Sequence, residues 1–253
     1  MPIHYARRLT GRKRSATANR HLGYALAFVA GAINAGGFLA VQQYSSHMTG
    51  IVSTMADNIA LGAFELVFSG AGGLLSFLMG AACSTVMINY SRRHGLHSEY
   101  AQPLLLEAVL LLCFGFLGAA LAQITGLFVP LTVMLLCFIM GLQNALITKL
   151  SRAEIRTTHV TGIVTDLGIE LGKLVYWNGG SGNRAGRVIA DRARLGLLAL
   201  LLLYFFLGGV VGAFGFKHLG YMSTLPLAAL LVTLAGVPAL DDALFLVRRH
   251  LRR

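Results

Sequence analysis

Two copies of the pattern His-x-Thr-Gly are the part of this chain best suited to bind a solute. The copies are His47, Thr49 and Gly50, followed 112 positions later by His159, Thr161 and Gly162. A histidine side chain can donate or accept a hydrogen bond, or change its charge near neutral pH. The glycine permits irregular backbone, and the threonine can cap a following helix. The residue types therefore point to polar breaks that can hold a small ligand.

Each break precedes a short stretch with a helical pattern, and this placement favours anion binding. The amide groups at a helix N-terminus carry a partial positive charge that attracts anions. Two such N-termini meeting inside a protein would resemble the sites of secondary transporters, where irregular backbone is tolerated because it lines a cavity. A single copy would be better explained as an interfacial turn, with threonine as an N-cap and histidine at the lipid headgroups. The repetition favours a functional site.

Three further polar residues are candidates to support this site. Asn34 and Asn144 lie at matched positions in the apolar runs before the two breaks. An asparagine in this setting either links two helices by a hydrogen bond or contacts the solute, and we include both among the substrate-binding residues. Asp166 follows the second break. It is a candidate for coupling to a proton or cation if it lies at membrane depth, and a solvated residue if its helix lies at the interface.

An internal repeat positions both breaks. The run at 28–35 reads Phe-Val-Ala-Gly-Ala-Ile-Asn-Ala, and its counterpart at 138–145 reads Phe-Ile-Met-Gly-Leu-Gln-Asn-Ala, shifted by 110 residues. The repeated unit is an apolar helix with an internal asparagine, then a polar break, then a short helix. Because a repeat constrains the whole architecture, the two breaks are expected to occupy equivalent places in the fold.

The composition is that of an integral membrane protein. Of the 253 residues, 56% are hydrophobic and 12% are charged, and the mean hydropathy is +0.69. A soluble domain is about 45–50% apolar and about 25% charged. The net charge of +11 does not indicate nucleic-acid binding, because the basic residues lie in blocks at the ends of apolar runs. Such blocks are typical of topology signals and of contact with anionic lipid headgroups.

The fold class follows from the apolar runs and the charges. Six runs reach or approach the length of a membrane span, at about 22–42, 70–90, 103–125, 129–149, 195–216 and 222–240. The stretches 51–66 and 162–176, which follow the breaks, are too short or too polar. Six spans put the basic loops and both termini in the cytoplasm, in agreement with the positive-inside rule. We predict an all-α integral membrane protein with six transmembrane helices as a 3+3 inverted repeat, and a broken or re-entrant short helix after the first helix of each half.

This pattern divides the chain into four parts. Residues 1–21 and 241–253 are basic cytoplasmic tails, 22–126 form the first three-helix repeat, and 127–240 form the second, with a flexible cytoplasmic loop at 178–194. A tight turn near Gly126–Pro130 is expected to join the halves. Small residues recur at every fourth position in several spans, and this spacing serves close helix contacts either within one chain or across a homodimer face.

Signatures of enzymes and of metal sites are lacking in the sequence. There is no Gly-x-Ser-x-Gly, Cys-x-x-Cys or His-Glu-x-x-His pattern, and we assign no catalytic residue. The three cysteines lie apart in apolar runs, and no cluster of acids or cysteines accompanies the two histidines. We therefore expect neither an enzyme nor a bound metal or other cofactor.

The motifs resemble those of a known family. The stretches 30–38 and 47–50 in the first half, with 141–145 and 157–168 in the second, are similar to the YoaK family of bacterial inner-membrane proteins. The resemblance, from about residue 22 to 240, implies a multi-span protein of the bacterial plasma membrane and gives no established substrate. The chain has Asn34 where the family usually has aspartate, and Ile51 where it usually has asparagine. The two sites of this chain are therefore expected to be unequal.

Two hypotheses on function follow. The first is a small-solute secondary transporter or channel-like permease with its site between the repeats, and the histidines and helix N-termini favour a small anion. The second is a non-transporting membrane scaffold or regulatory subunit, in which the repeat serves packing and the basic loop binds lipid or a partner. The expected partners are membrane lipid and an unknown small solute, with a homodimer compatible with the small-residue spacing and no nucleic acid.

Overall fold

The computed structural model describes residues 16–96, 98–121, 125–151, 155–178 and 187–250. This part of the chain contains eight α-helices and no β-strand, which confirms the predicted all-α class. The helices are α1 (Ala16–Val41), α2 (Met48–Ala60), α3 (Phe64–Arg93), α4 (Ala101–Leu121), α5 (Thr125–Leu150), α6 (Val160–Val175), α7 (Arg192–Leu219) and α8 (Thr224–His250). A 3-10 turn, Gly220–Ser223, separates α7 from α8.

The long helices have the length and composition of membrane spans. Five segments of the described chain qualify, and the fifth, Arg192–Asp242, has 51 residues because it contains α7, the 3-10 turn and most of α8. Large apolar side chains cover the outer faces, with Phe68 exposed to 75%, Phe116 to 71% and Phe206 to 64%. Such a surface suits lipid and not water. The chain is therefore an all-α, multi-pass membrane protein.

The two short helices follow the breaks as predicted. α2 has 13 residues and α6 has 16, and a helix that rises about 1.5 Å per residue does not cross a hydrocarbon core of about 30 Å at these lengths. α2 ends at Ala60, earlier than expected, because Gly62 adopts a left-handed backbone with φ of 73°. Since α3 begins at Phe64, Glu65 lies on α3 and not on the short helix of the predicted stretch 51–66.

Three prolines lie near the starts of helices, and one of them lies where the sequence predicted a turn. Pro103 and Pro226 are each the third residue of a helix, where a missing amide hydrogen costs no intrahelical bond. The turn expected at Gly126–Pro130 is wrong, because α5 begins at Thr125 and Pro130 lies inside it. A proline this close to the start removes one hydrogen bond and leaves the rest of the 26-residue helix intact. The link between α4 and α5 falls at 122–124, outside the described residues.

The long helices pack mainly across the two predicted halves. α1 packs along α7, α3 along α5 and α4 along α8, and α1 and α5 also touch each other. The pattern Phe-x-x-Gly occurs at both the α1–α7 and the α3–α5 crossing. Its residues are Phe28 and Gly31 on α1, Phe77 and Gly80 on α3, Phe138 and Gly141 on α5, and Phe205 and Gly208 on α7.

Each of these glycines lies against the backbone of the phenylalanine on the opposite helix. A Cβ atom on Gly31 would collide with the carbonyl oxygen of Phe205, and one on Gly208 with that of Phe28. The glycines of α3 and α5 face the phenylalanine carbonyls of each other's helix in the same way. Small residues thus let the helix backbones approach closely. Among the described residues, these small-residue faces are used for contacts within the chain.

The helices that carry the two breaks lie at the centre of the molecule. More than half of the apolar window of α1 and of α5 is buried, 56% and 61%, against 22% for α3. The amide nitrogen Nε2 of Gln143 on α5 donates to the carbonyl oxygen of Leu26 on α1 at 3.2 Å. Since α1 ends at Val41 and α5 ends at Leu150, both breaks leave this central pair of helices.

Candidate functional site

Asn34 and Asn144 hold the two breaks in the same way. The Oδ1 atom of Asn34 accepts hydrogen bonds from the hydroxyl of Ser46 at 2.8 Å and from its backbone amide at 3.3 Å. The Oδ1 atom of Asn144 accepts from the hydroxyl of Thr158 at 2.7 Å, while its Nδ2 atom donates to the carbonyl of Met140 at 2.8 Å. Each asparagine therefore fixes the residue that immediately precedes the histidine of its break.

The histidines, and not the threonines, begin the short helices. His47 is the N-cap residue of α2 with φ and ψ of −94° and 69°, and His159 is that of α6 with −85° and 59°. Neither imidazole makes a side-chain capping hydrogen bond. Thr49 and Thr161 are the second residues of the helices, so the expectation of a threonine cap is wrong. Their hydroxyl groups are left for other partners, and both residues are exposed.

The glycines of the two breaks serve the histidines. A Cβ atom on Gly50 would collide with the imidazole ring of His47, and one on Gly162 with the ring of His159. Both glycines are the third residue of their helix and have helical backbone, so the predicted need for irregular backbone is wrong. Glycine leaves room for each imidazole to fold back over the first turn of the helix that it begins.

Both breaks line one cavity of about 600 Å³. The predicted residues in its wall are Asn34, His47 and Thr49 from the first break and Asn144, His159 and Thr161 from the second. Gly50 and Gly162 do not line it, and Gly162 borders the neighbouring cavity described below. The structure thus brings together six of the eight residues that the sequence assigned to substrate binding. We call this space the central cavity.

The electrostatics of the central cavity favour an anion. Met48 and Val160, the first residues of α2 and α6, both lie in its wall, so the positive ends of two helices face the same space. The first turn of each helix also has amide hydrogens without intrahelical partners. Arg156 adds a full positive charge to the wall, whereas no aspartate or glutamate is among its described residues. Hydroxyl groups and imidazoles supply further donors.

A second cavity of about 800 Å³ adjoins the central cavity. The two share Arg156, His159 and Thr161. Asp166 lines the second cavity and not the central one, and its Oδ2 atom contacts Arg194 Nη2 at 2.9 Å. Both side chains are partly exposed, to 39% and 54%. The coupling candidate is therefore an ion-paired residue beside the site. We call this space the side cavity.

The first half has a smaller and uncharged counterpart of the side cavity. It has a volume of about 330 Å³ and is lined by Ile51, Thr54 and Leu66, among others. Thr54 stands where the repeat places Asp166, and Leu66 lies in the first turn of α3 as Arg194 does in that of α7. The prediction of unequal sites thus has a counterpart in charge, because Asp166 and Arg194 line the side cavity while the described lining of its first-half counterpart includes no ionised group.

Sequence reasoning missed several polar residues in the wall of the central cavity, among them Ser46, Thr158 and Arg156. Ser46 and Thr158 precede the histidines at the same shift of 112 residues, and that match was the signal that could have identified them. Arg156 lies in the basic connection between α5 and α6, where the charge pattern alone indicates only topology. The hydroxyl groups of Ser45 and Thr157, one position earlier, are buried and have no hydrogen-bond partner among the described residues. Glu107 on α4 is also fully buried without such a partner, and it lines neither cavity.

Comparisons with known proteins agree with a membrane assignment. A family model described as "Protein of unknown function (DUF1275)" matches residues 22–237. The UPF0700 transmembrane protein YoaK of Bacillus subtilis (strain 168) is 28% identical over 145 residues, which are 56% of this chain and 62% of that protein. The matched part thus spans less than two thirds of the relative's length. No solved structure matches the chain.

Proposed function

Because this chain belongs to the DUF1275 family, whose description names no function, we propose from its own geometry that it is a small-solute permease that binds a small anion in the central cavity. The proposal covers a secondary transporter or a channel-like protein. It includes no enzymatic step and no cofactor. The observation that carries it is that two helix N-termini and Arg156 face one space of about 600 Å³ with no acid among its described lining residues.

The proposed architecture is a 3+3 inverted repeat of six spans. Its halves are residues 22–126 and 127–240, each with one short re-entrant helix, α2 or α6. The reciprocal packing supports this proposal, because exchanging the halves turns the α1–α7 pair into the α5–α3 pair. We place the protein in the bacterial plasma membrane with both termini in the cytoplasm, from the distribution of basic residues. The protein would then expose the central cavity between the halves, as inverted-repeat transporters do.

The proposed binding mode uses groups that the fold already holds in place. The anion accepts hydrogen bonds from the first-turn amides of α2 and α6 and from the hydroxyl groups of Thr49 and Thr161. His47 and His159 offer ring N–H donors beside these amides. The side cavity supplies a route to the site past Arg156. A solute of a few heavy atoms, such as an inorganic anion or a short carboxylate, suits these short donors.

Binding and uptake by the purified protein test the proposal. A thermal-shift screen against chloride, nitrate, formate, acetate and inorganic phosphate selects the probe, and uptake of that probe is then measured in liposomes. The variant with His159→Ala and Thr161→Ala loses donors to a charged ligand, so we expect about tenfold weaker binding and slower uptake. The matched control carries His218→Ala and Thr233→Ala, which lie in neither cavity wall.

Each outcome decides a separate point. Unchanged binding and uptake in the folded double variant would refute the site, and the absence of stabilisation by all five anions would refute the anion as ligand. Binding at the site without uptake would refute transport and leave a regulatory or scaffold role for the cavity.

A further inference from the structure

A third cavity lies where the chain leaves α6 and returns to α7. It has a volume of about 270 Å³ and is separate from the central and side cavities. Asn178 closes it, because its Nδ2 atom donates to the carbonyl of Val188 at 3.0 Å and its Oδ1 atom accepts from the amide of Val188 at 3.0 Å. This pair of hydrogen bonds joins the outgoing and returning segments, so the cavity has a defined wall on both sides.

Three basic side chains line this cavity, namely Lys173, Arg187 and Arg192. The Nζ atom of Lys173 contacts Glu170 Oε1 at 2.7 Å, while Glu170 Oε2 accepts from the amide of Asp191 at 2.8 Å. Lys173 is therefore fixed in place with its charge offset. Arg187 and Arg192 are exposed and pair with no acid among the described residues, and no acid lines the cavity there. Two guanidinium groups then converge on a space fit for a phosphate group.

Exposed apolar side chains lie in the wall of this cavity and next to it in the chain. Ile189, exposed to 76%, lines the cavity, while Val175 and Trp177, exposed to 85% and 88%, are chain neighbours of the lining residues Leu174 and Tyr176. Tyr176, exposed to 59%, lies beside Trp177. Tryptophan and tyrosine are enriched at the membrane–water interface, where their rings lie at the level of the headgroups. A site for free phosphate needs no exposed apolar side chains beside it, whereas a lipid brings acyl chains that cover them.

We propose that this cavity binds the phosphate group of an anionic phospholipid, with Arg187 and Arg192 on the phosphate and Trp177 against the lipid body. The site lies next to α6 and α7, which also form the wall of the side cavity. A bound lipid would therefore hold the connection between these helices against the membrane surface. The inference does not depend on the permease proposal, because it concerns different residues and a different ligand.

Lipid titration of the full-length protein in neutral detergent tests the site. Native mass spectrometry counts bound phosphatidylglycerol, with phosphatidylcholine as the zwitterionic comparison and inorganic phosphate as a competitor. The variant with Arg187→Gln and Arg192→Gln is expected to bind phosphatidylglycerol about 30-fold more weakly. Each arginine near an anionic lipid raises the affinity about fivefold, and the two factors multiply. The control variant with Arg93→Gln and Lys217→Gln removes the same charge away from the cavity and should bind as the parent does.

A third variant, Trp177→Ala, separates the two sources of phosphate. It should weaken phosphatidylglycerol binding several-fold and leave competition by inorganic phosphate unchanged, which supports a lipid site. Equal affinity for inorganic phosphate and lipid, with no effect of Trp177→Ala, would refute the lipid as ligand. Parent-like binding by the arginine variant, or no preference for phosphatidylglycerol over phosphatidylcholine, would overturn the proposal.

Discussion

The imidazole rings of His47 and His159 lie over the first turn of the helices that they begin. This position is open only because the third residue of each helix, Gly50 or Gly162, has no side chain. Packing against the first turn, and not a capping hydrogen bond, sets the position of each ring, since neither histidine makes such a bond. The spacing of the His-x-Thr-Gly pattern is thus a steric requirement of the histidine in both breaks.

Gly162→Ala is expected to displace the His159 ring and weaken anion binding. The added methyl group occupies the place of the ring, and loss of a hydrogen bond to a charged ligand costs about tenfold in affinity. Gly168→Ala is the matched control, because a Cβ atom there meets no neighbour. Thermal-shift titration with the selected anion measures both variants. Equal affinities for the two folded variants would contradict the role of ring position.

Thr158→Val tests the hydrogen bond that holds the second break. The change keeps the shape of the side chain and leaves Asn144 Oδ1 without its donor, which should lower the free energy of unfolding by about 0.5–1.5 kcal/mol. Thr165→Val, which removes a bond at an exposed position, should change it by less than about 0.5 kcal/mol. Unfolding in mixed micelles of SDS measures both. If Thr158→Val has the same effect in a chain that already carries Asn144→Leu, the two side chains are not coupled.

At this scale the sequence identified six of the residues that line the central cavity. His47, Thr49, His159 and Thr161 were visible because their spacing repeats, and Asn34 and Asn144 because they recur at matched positions. The roles of the glycines and threonines were not visible, since periodicity does not show where a ring folds relative to its own helix. Arg156 was missed because a single arginine in a basic connection looks the same whether it faces water or a cavity.

The close packing of α1 on α7 and of α3 on α5 depends on the Phe-x-x-Gly crossings. Gly208→Ala on α7 puts a methyl group onto the backbone carbonyl of Phe28, and overpacking of this kind costs about 1–3 kcal/mol of unfolding free energy. Gly196→Ala lies on the same helix with open space around it, so it should raise stability by up to about 1 kcal/mol. Unfolding in mixed micelles distinguishes them. Similar effects of the two changes would argue against close backbone contact at the crossing.

The connection from α6 to α7 should weaken in acid. The hydrogen bond from Lys173, with that from the Asp191 amide, lowers the pKa of Glu170. A lowered pKa means that the contribution is present above the ordinary pKa of a glutamate and is lost as the pH falls through the lower value in the folded state. As the pH falls from the ordinary pKa of a glutamate through the lower pKa of Glu170 in the folded state, the melting temperature of the parent should therefore drop more than that of the Glu170→Gln variant. Parallel curves for the two proteins would contradict the prediction.

The sequence predicts which segments are helices better than it predicts where each helix begins and ends. Apolar runs located every long helix, and the shortness of α2 and α6 was visible in their polar residues. The ends differed because local backbone decided them: Gly62 stops α2, and α5 continues through Pro130. A proline signals a helix start only in the first turn, and the sequence does not state where that turn lies.

Over the whole molecule, charge is distributed unequally around a repeated framework. The side cavity contains Arg156, Arg194 and Asp166, while its counterpart in the first half contains no ionised group among its described residues. A positive wall raises the local concentration of anions and is screened by salt. The repeat predicts equivalent places in the fold for the two breaks, and single differences such as Asp166 against Thr54 make their surroundings unequal in charge.

Arg156→Gln is expected to slow anion uptake at low ionic strength by about tenfold, with a difference that shrinks as salt is added. The control is Arg93→Gln, which removes an exposed arginine that lines none of the described cavities. Initial rates in liposomes across a salt series measure the effect. A defect that is constant across the series would place Arg156 in direct contact with the bound solute instead.

The pairing of helices could not be predicted from the sequence. Small-residue spacing shows that a helix is approached closely, and it does not say by which partner. The choice of α7 for α1, and of α5 for α3, depends on tertiary geometry that becomes visible only with all the helices present.

The crossing of α1 onto α7 bears on how the protein is made. When α1 leaves the ribosome, its partner is still more than 150 residues away in the nascent chain. The first helix must therefore remain in the bilayer, with its glycine face against lipid or an insertion factor, until α7 has been synthesised. A chain truncated before residue 192 would leave α1 without α7, so quality-control proteases should degrade such fragments quickly.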